Sequence, residues 1–127
     1  MSSKKKSTQL DVPTGRAISI RQPYVEDILR GVKKYEYRSR PTKIRGRVYL
    51  YASLGHGHEE YWKKMKLNPG DLPTGVVVGS VEIVDCKYFE DDDCYGYRLK
   101  SPRRYKKSIK PKNQPQPLFF FPFGKSK

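Results

Sequence analysis

Eight lysines and arginines lie from Arg30 to Arg47, and one acid, Glu36, sits among them. Lys33 and Lys34 precede it, and Arg38 and Arg40 follow. A lone carboxylate in such a run suits two kinds of chemistry. It can accept a hydrogen bond from a base edge, as a carboxylate does from the N4 amino group of cytosine. It can also act as a general base, which requires surroundings that disfavour its charge. The neighbouring cations favour the charged form, so recognition or orientation ranks ahead of proton transfer. A plain surface ion pair with Lys34 or Arg38 is worth only about 0–1 kcal/mol and gives no reason for the pattern.

Lys33 reads either as a solvated lysine at a helix end or as a phosphate contact. As a catalytic amine it would need a lowered pKa, and Arg30 and Lys34 push that way. Arg38 and Arg40 suit bidentate contacts to phosphate or guanine better than lysine would. Arg21, Gln22 and Tyr24 flank a helix start, where backbone N–H groups point outward and attract anions. Tyr24 is a candidate stacking platform for a base. Ser53 is placed to line the same site. His56, His58, Glu59 and Glu60 are potential metal ligands with weak spacing, and Asp91 to Asp93 read as a solvated turn, so neither a metal nor a cofactor is expected. Glu82 shares a strand face with valines and needs a partner, for which the cations near Glu36 are the first choice.

The elements that position these groups are short. Residues 16–21 alternate as a strand. Pro23 then opens a helix whose stripe is Val25, Ile28 and Leu29, and Gly31 ends it. Residues 35–39 form a strand with Lys34, Glu36, Arg38 and Arg40 on one face and Tyr35 and Tyr37 on the other. Residues 48–52 form a strand with Val48, Leu50 and Ala52 facing one way. A second amphipathic helix covers 58–67 around Tyr61, Trp62 and Met65. Residues 75–85 are the most buried strand, with Gly79 marking a bulge or a close backbone approach. An acidic turn, a strand over 95–99 and an aromatic strand over 118–121 complete the count. Residues 103–112 hold six basic residues in ten and read as a loop beside the site, with Arg103, Arg104, Lys106 and Lys107 tracking phosphates. No strand–helix–strand rhythm persists, which argues for a mostly antiparallel barrel over a doubly wound sheet.

The chain has 127 residues, 27 basic and 13 acidic, for a net charge of +14. That length supports one core, and that charge favours polyanionic partners, nucleic acid first. No apolar run is long enough to span a bilayer. Two cysteines make no disulfide framework, which points to a reducing cytoplasm.

Five segments in order resemble the ASCH domain family: Ile18 to Tyr24, the spacing Gly31-x-Lys33-x-x-Glu36-x-Arg38, Gly46 to Ser53, Gly75 to Cys86, and Pro115 to Phe120. The resemblance covers roughly residues 16 to 122. It implies an α+β fold, a small, mostly antiparallel PUA-like β-barrel with two or three short helices. It also implies a cleft beside the first helix lined by Lys33, Glu36 and Arg38. Relatives include RNA-associated proteins, a proposed ribonuclease and an amidohydrolase that deacylates an acetylated cytidine. The amidohydrolase subgroup carries Gly-x-Lys-Thr-x-Thr, where this chain has Lys34 and Glu36, so its hydroxyl is missing here. The expected layout is a basic lead-in over 1–14, the domain over 15–123 and a tail over 124–127. The expected function is an RNA- or nucleotide-binding module, a monomer in which the basic tails offer a surface for a protein partner. The alternative is a hydrolase of RNA or a modified nucleoside using Lys33 and Glu36.

Overall fold

The structure is a computed structural model that describes residues 12–124. Expectations for residues 1–11 and 125–127 lie outside the described residues. Strand β1 (Ala17–Gln22) leads into helix α1 (Tyr24–Leu29), then β2 (Tyr35–Arg38) and β3 (Gly46–His56). Helix α2 (Glu59–Met65), the long strands β4 (Val76–Phe89) and β5 (Cys94–Ile109), and the short β6 (Phe119–Phe120) follow. The sheet order is β2-β5-β4-β3-β1-β6, with β2 and β6 at its edges. Among the described residues only β1 and β3 run parallel; the other pairs are antiparallel. The six strands curl into a half-barrel, so the expected mostly antiparallel, barrel-like α+β architecture is present with its seam open.

Alternation along β3 fills both faces of the sheet. Val48, Leu50 and Ala52 join Ile18, Ile20, Val25 and Ile28 in one cluster, which also packs α1. Tyr49 and Tyr51 point the other way and pack with Ala17, Val77, Tyr105 and Phe120. Burial of apolar area at roughly 25 cal/mol per Å² makes these two layers the main source of stability.

Two local expectations change. Pro23 occupies the cap position before α1 rather than its first turn, and Arg30 then Gly31 (φ +80°) end the helix. The basic run is not a loop. Residues 103–109 are the second half of β5, with Arg103 opposite Ser80 and Arg104 opposite Gly79. Tyr105 turns inward while Arg104 and Lys106 turn out, the period of a half-buried strand.

Gly79 carries the close approach expected of it. A Cβ there would lie 2.1 Å from the Arg103 carbonyl oxygen, beside register shifts in the β4–β5 ladder. Glu82 faces Arg47 and Lys100 across the ladders, not the cations of β2.

Glu26 ties α1 to β5. Its carboxylate accepts from Arg30 Nε at 2.8 Å and from Arg104 Nη1 at 2.8 Å and Nη2 at 3.1 Å. Burial pushes its pKa up, and the two guanidiniums outweigh that and hold it below the ordinary value of 4.5. A depressed carboxylate pKa means stability that is present above the ordinary range and lost as pH falls through the folded value. Glu26→Gln is therefore expected to cost about 1–2 kcal/mol at pH 7, since both arginines are half-exposed and screened. The gap from wild type should shrink at pH 3. Urea melts at the two pH values check this, and an equal gap at both would contradict it.

Candidate functional site

Curling brings the β2 edge back toward β1 and β6, and the unclosed seam between them is a cleft of about 690 Å³. Arg38 spans it. Its Nε donates to Glu36 Oε2 at 2.8 Å and its Nη2 to the Ser19 carbonyl of β1 at 2.7 Å. The far wall is the segment 114–118. It is fastened to β1 by the Ser19 hydroxyl, which donates to the Gln116 carbonyl at 2.7 Å, and by the Ser19 N–H, which donates to the Leu118 carbonyl at 2.8 Å. Tyr24, Ser53, Leu54 and Arg21 form the rim.

Glu36 is 7% exposed, although it lies on an edge strand. Arg38 holds one carboxylate oxygen, and Lys33 Nζ lies 3.8 Å from the other. The expected face holding Lys34, Glu36, Arg38 and Arg40 is thus divided. Glu36 and Arg38 turn into the seam, while Lys34 and Arg40 are exposed and line no part of the cleft. Arg40 contributes its carbonyl, which accepts from the buried Tyr97 hydroxyl at 2.8 Å.

Lys33 reaches Glu36 from the opposite side. Its ammonium stands 5.7 Å from the Tyr24 ring centre and 5.1 Å from that of Tyr37. Burial lowers its pKa; Glu36 and Asp27 oppose the shift and Arg38 adds to it. It lines a second recess, of about 560 Å³, that shares Tyr24 and Glu36 with the cleft. Asp27, an acid in the first turn of α1, organises this side. Its carbonyl accepts from the Val32 and Lys33 N–H groups, both at 3.1 Å, and its carboxylate accepts from the Tyr61 hydroxyl. Burial first, then that hydrogen bond, push the Tyr61 pKa well up, so Tyr61 remains a neutral donor.

Tyr24 is partly buried and pinned. Its hydroxyl accepts from the His58 N–H at 3.0 Å, and its ring meets Tyr61 edge-on at 4.7 Å. Gly57 makes room for it, since a Cβ there would stand 2.4 Å from the ring. Arg21 is exposed and passes its guanidinium over Gly55.

Other expected contacts fall elsewhere. Gln22 is 1% exposed, and its amide is spent inside the fold. It accepts from the Glu26 N–H at 3.1 Å and donates to the Pro73 carbonyl at 3.0 Å. It lines no part of the cleft. Arg103, Arg104, Lys106 and Lys107 lie on β5 and line no part of the cleft, and Arg104 is engaged by Glu26. Ser19, Tyr51, Leu54 and the segment 114–118 also line the cleft, and residue types alone do not single them out. For the last, the available signal was the ordered motif Pro115 to Phe120 next to its glutamines.

The ASCH domain family model matches residues 18–114. Activating signal cointegrator 1 of Homo sapiens is 28% identical over 83 residues, which covers 57% of this chain and 14% of the relative. Its Mus musculus counterpart matches with the same identity and coverage. The chain therefore spans a small part of the length of the curated relatives it matches.

Proposed function

This chain belongs to the ASCH domain family, whose fold is PUA-like, and from that premise we propose that it is an RNA-binding module whose cleft takes one nucleotide of a single strand. The observation that carries this reading is Glu36, a buried carboxylate braced by Arg38 and Lys33 at the floor of an open cleft. Its oxygens keep lone pairs beyond those two contacts, so it can still accept from an amino group on a base edge. Arg38 has Nη1 left for a ligand once its Nε and Nη2 are engaged. Arg21 and the net charge of +14 supply attraction for the phosphates.

Binding to single-stranded RNA should weaken steeply with salt. With roughly three phosphates neutralised, the slope of log K against log salt is expected near about −2. Fluorescence anisotropy of a labelled octaribonucleotide from low to physiological salt measures it. Undetectable binding at low salt would sink the reading.

Hydrolysis is the second reading, and the observation in its favour is the largely buried Lys33 ammonium 3.8 Å from Glu36, where burial lowers its pKa. Lys33 would serve as base or nucleophile, with Arg38 stabilising developing negative charge. Turnover of labelled RNA or of acylated cytidine by wild type, lost in Lys33→Ala, would establish it. Equal product from both proteins would exclude Lys33 as the reacting group.

A further inference from the structure

The cleft and the second recess share two lining residues, Tyr24 and Glu36, and the Lys33 ammonium lies near the rings of both Tyr24 and Tyr37. Each space is large enough for a nucleotide-sized group. The recess differs from the cleft in its walls, which are dominated by Tyr24, Tyr35, Tyr37 and Tyr61. Tyr37 is 48% exposed, yet its ring has two aromatic neighbours. It stacks on Tyr35 at 5.9 Å with 20° between planes and meets Phe89 edge-on at 5.6 Å. A half-exposed aromatic ring braced by two neighbouring rings, with a lysine ammonium beside it, suits stacking by a base.

We propose that the recess is a second nucleotide subsite, so that the protein recognises a two-nucleotide step of a single RNA strand. One base enters the cleft beside Glu36. The neighbouring base stacks on Tyr37. The phosphodiester between them passes Lys33, whose ammonium lies 5.7 Å from the Tyr24 ring centre and 5.1 Å from that of Tyr37. Glu36 lines both spaces, so one strand can pass from the cleft into the recess. The inference rests on the RNA-binding reading of the cleft.

Ribonucleotide ladders of one, two and three residues, made for each base and titrated by NMR, test both claims separately. The dinucleotide should bind at least about tenfold tighter than the mononucleotide, the range for one added base on an aromatic ring, and the third residue should add little. Tyr37→Leu should erase the gain of the second nucleotide and leave mononucleotide affinity unchanged. Tyr37→Trp should keep the gain. Tyr37 is half-exposed and outside both core clusters, so these variants should fold. Equal affinity for one and two nucleotides, or a Tyr37→Leu loss that affects both equally, would overturn the second subsite while the cleft stands. If no member of any ladder binds, both readings fall.

Discussion

Replacing Glu36 by glutamine is expected to cost about 2–3 kcal/mol of folding stability and at least about tenfold in RNA affinity. The first figure follows from what the substitution leaves behind. Removing one member of a buried charged group costs roughly 3–5 kcal/mol, because its partners keep their charge without compensation. Here the side chains of Lys33 and Arg38 retain 14% and 27% exposure, so water relieves part of that cost. Arg38 would also lose the contact that aims its guanidinium across the seam at the Ser19 carbonyl. The affinity loss then has two sources, the missing acceptor and a displaced arginine. A cycle with Arg38→Met separates them, and the double variant should lose less than the two single variants combined. A stability loss below about 0.5 kcal/mol would mark Glu36 as an ordinary screened surface pair.

Gly79→Ala is expected to destabilise the domain by about 3–4 kcal/mol, and to lower the melting temperature by roughly 10–20 °C. Gly79 is not among the residues with positive φ, so alanine meets no conformational penalty there. The cost is steric. The new methyl would sit 2.1 Å from the Arg103 carbonyl oxygen and 3.0 Å from a Leu29 methyl. The leucine can rotate, but the carbonyl belongs to the β5 backbone and moves only if the ladder moves. Gly31→Ala is the useful contrast: its φ of +80° is strained for alanine, but no atom lies within 4 Å of the added methyl. That variant should lose only about 1 kcal/mol. Thermal melts of the two proteins check the ranking, and equal losses would contradict the close-approach account.

Much of the frame was legible from residue patterns. Alternation along Val48 to Ala52 identified a strand with two distinct faces, and both prove buried. The single acid among cations marked Glu36, and the spacing from Gly31 to Arg38 marked its neighbours. What could not be read depends on contacts between distant parts of the chain. Ser19 and Gln116 are 97 residues apart, and nothing local to either reveals that they close one wall of a cleft. Residues 103–109 looked like a loop because charge dominates their composition. They are a strand because β4 offers a ladder and Tyr105 a place in the core. Gln22 looked available for binding because polar residues at helix starts usually are. Its side chain instead satisfies the Glu26 N–H from inside the fold, a role set by the turn at Pro23.

The claim that the seam between β2 and β1 is the nucleotide site is tested most directly by amide chemical-shift mapping during titration with a short single-stranded oligoribonucleotide. The account predicts saturable shifts concentrated at Ser19, Arg21, Glu36, Arg38, Ser53 and Gln116, the residues that surround the cleft. Shifts confined to Arg103, Arg104, Lys106 and Lys107 on β5, with the cleft amides unmoved, would contradict it.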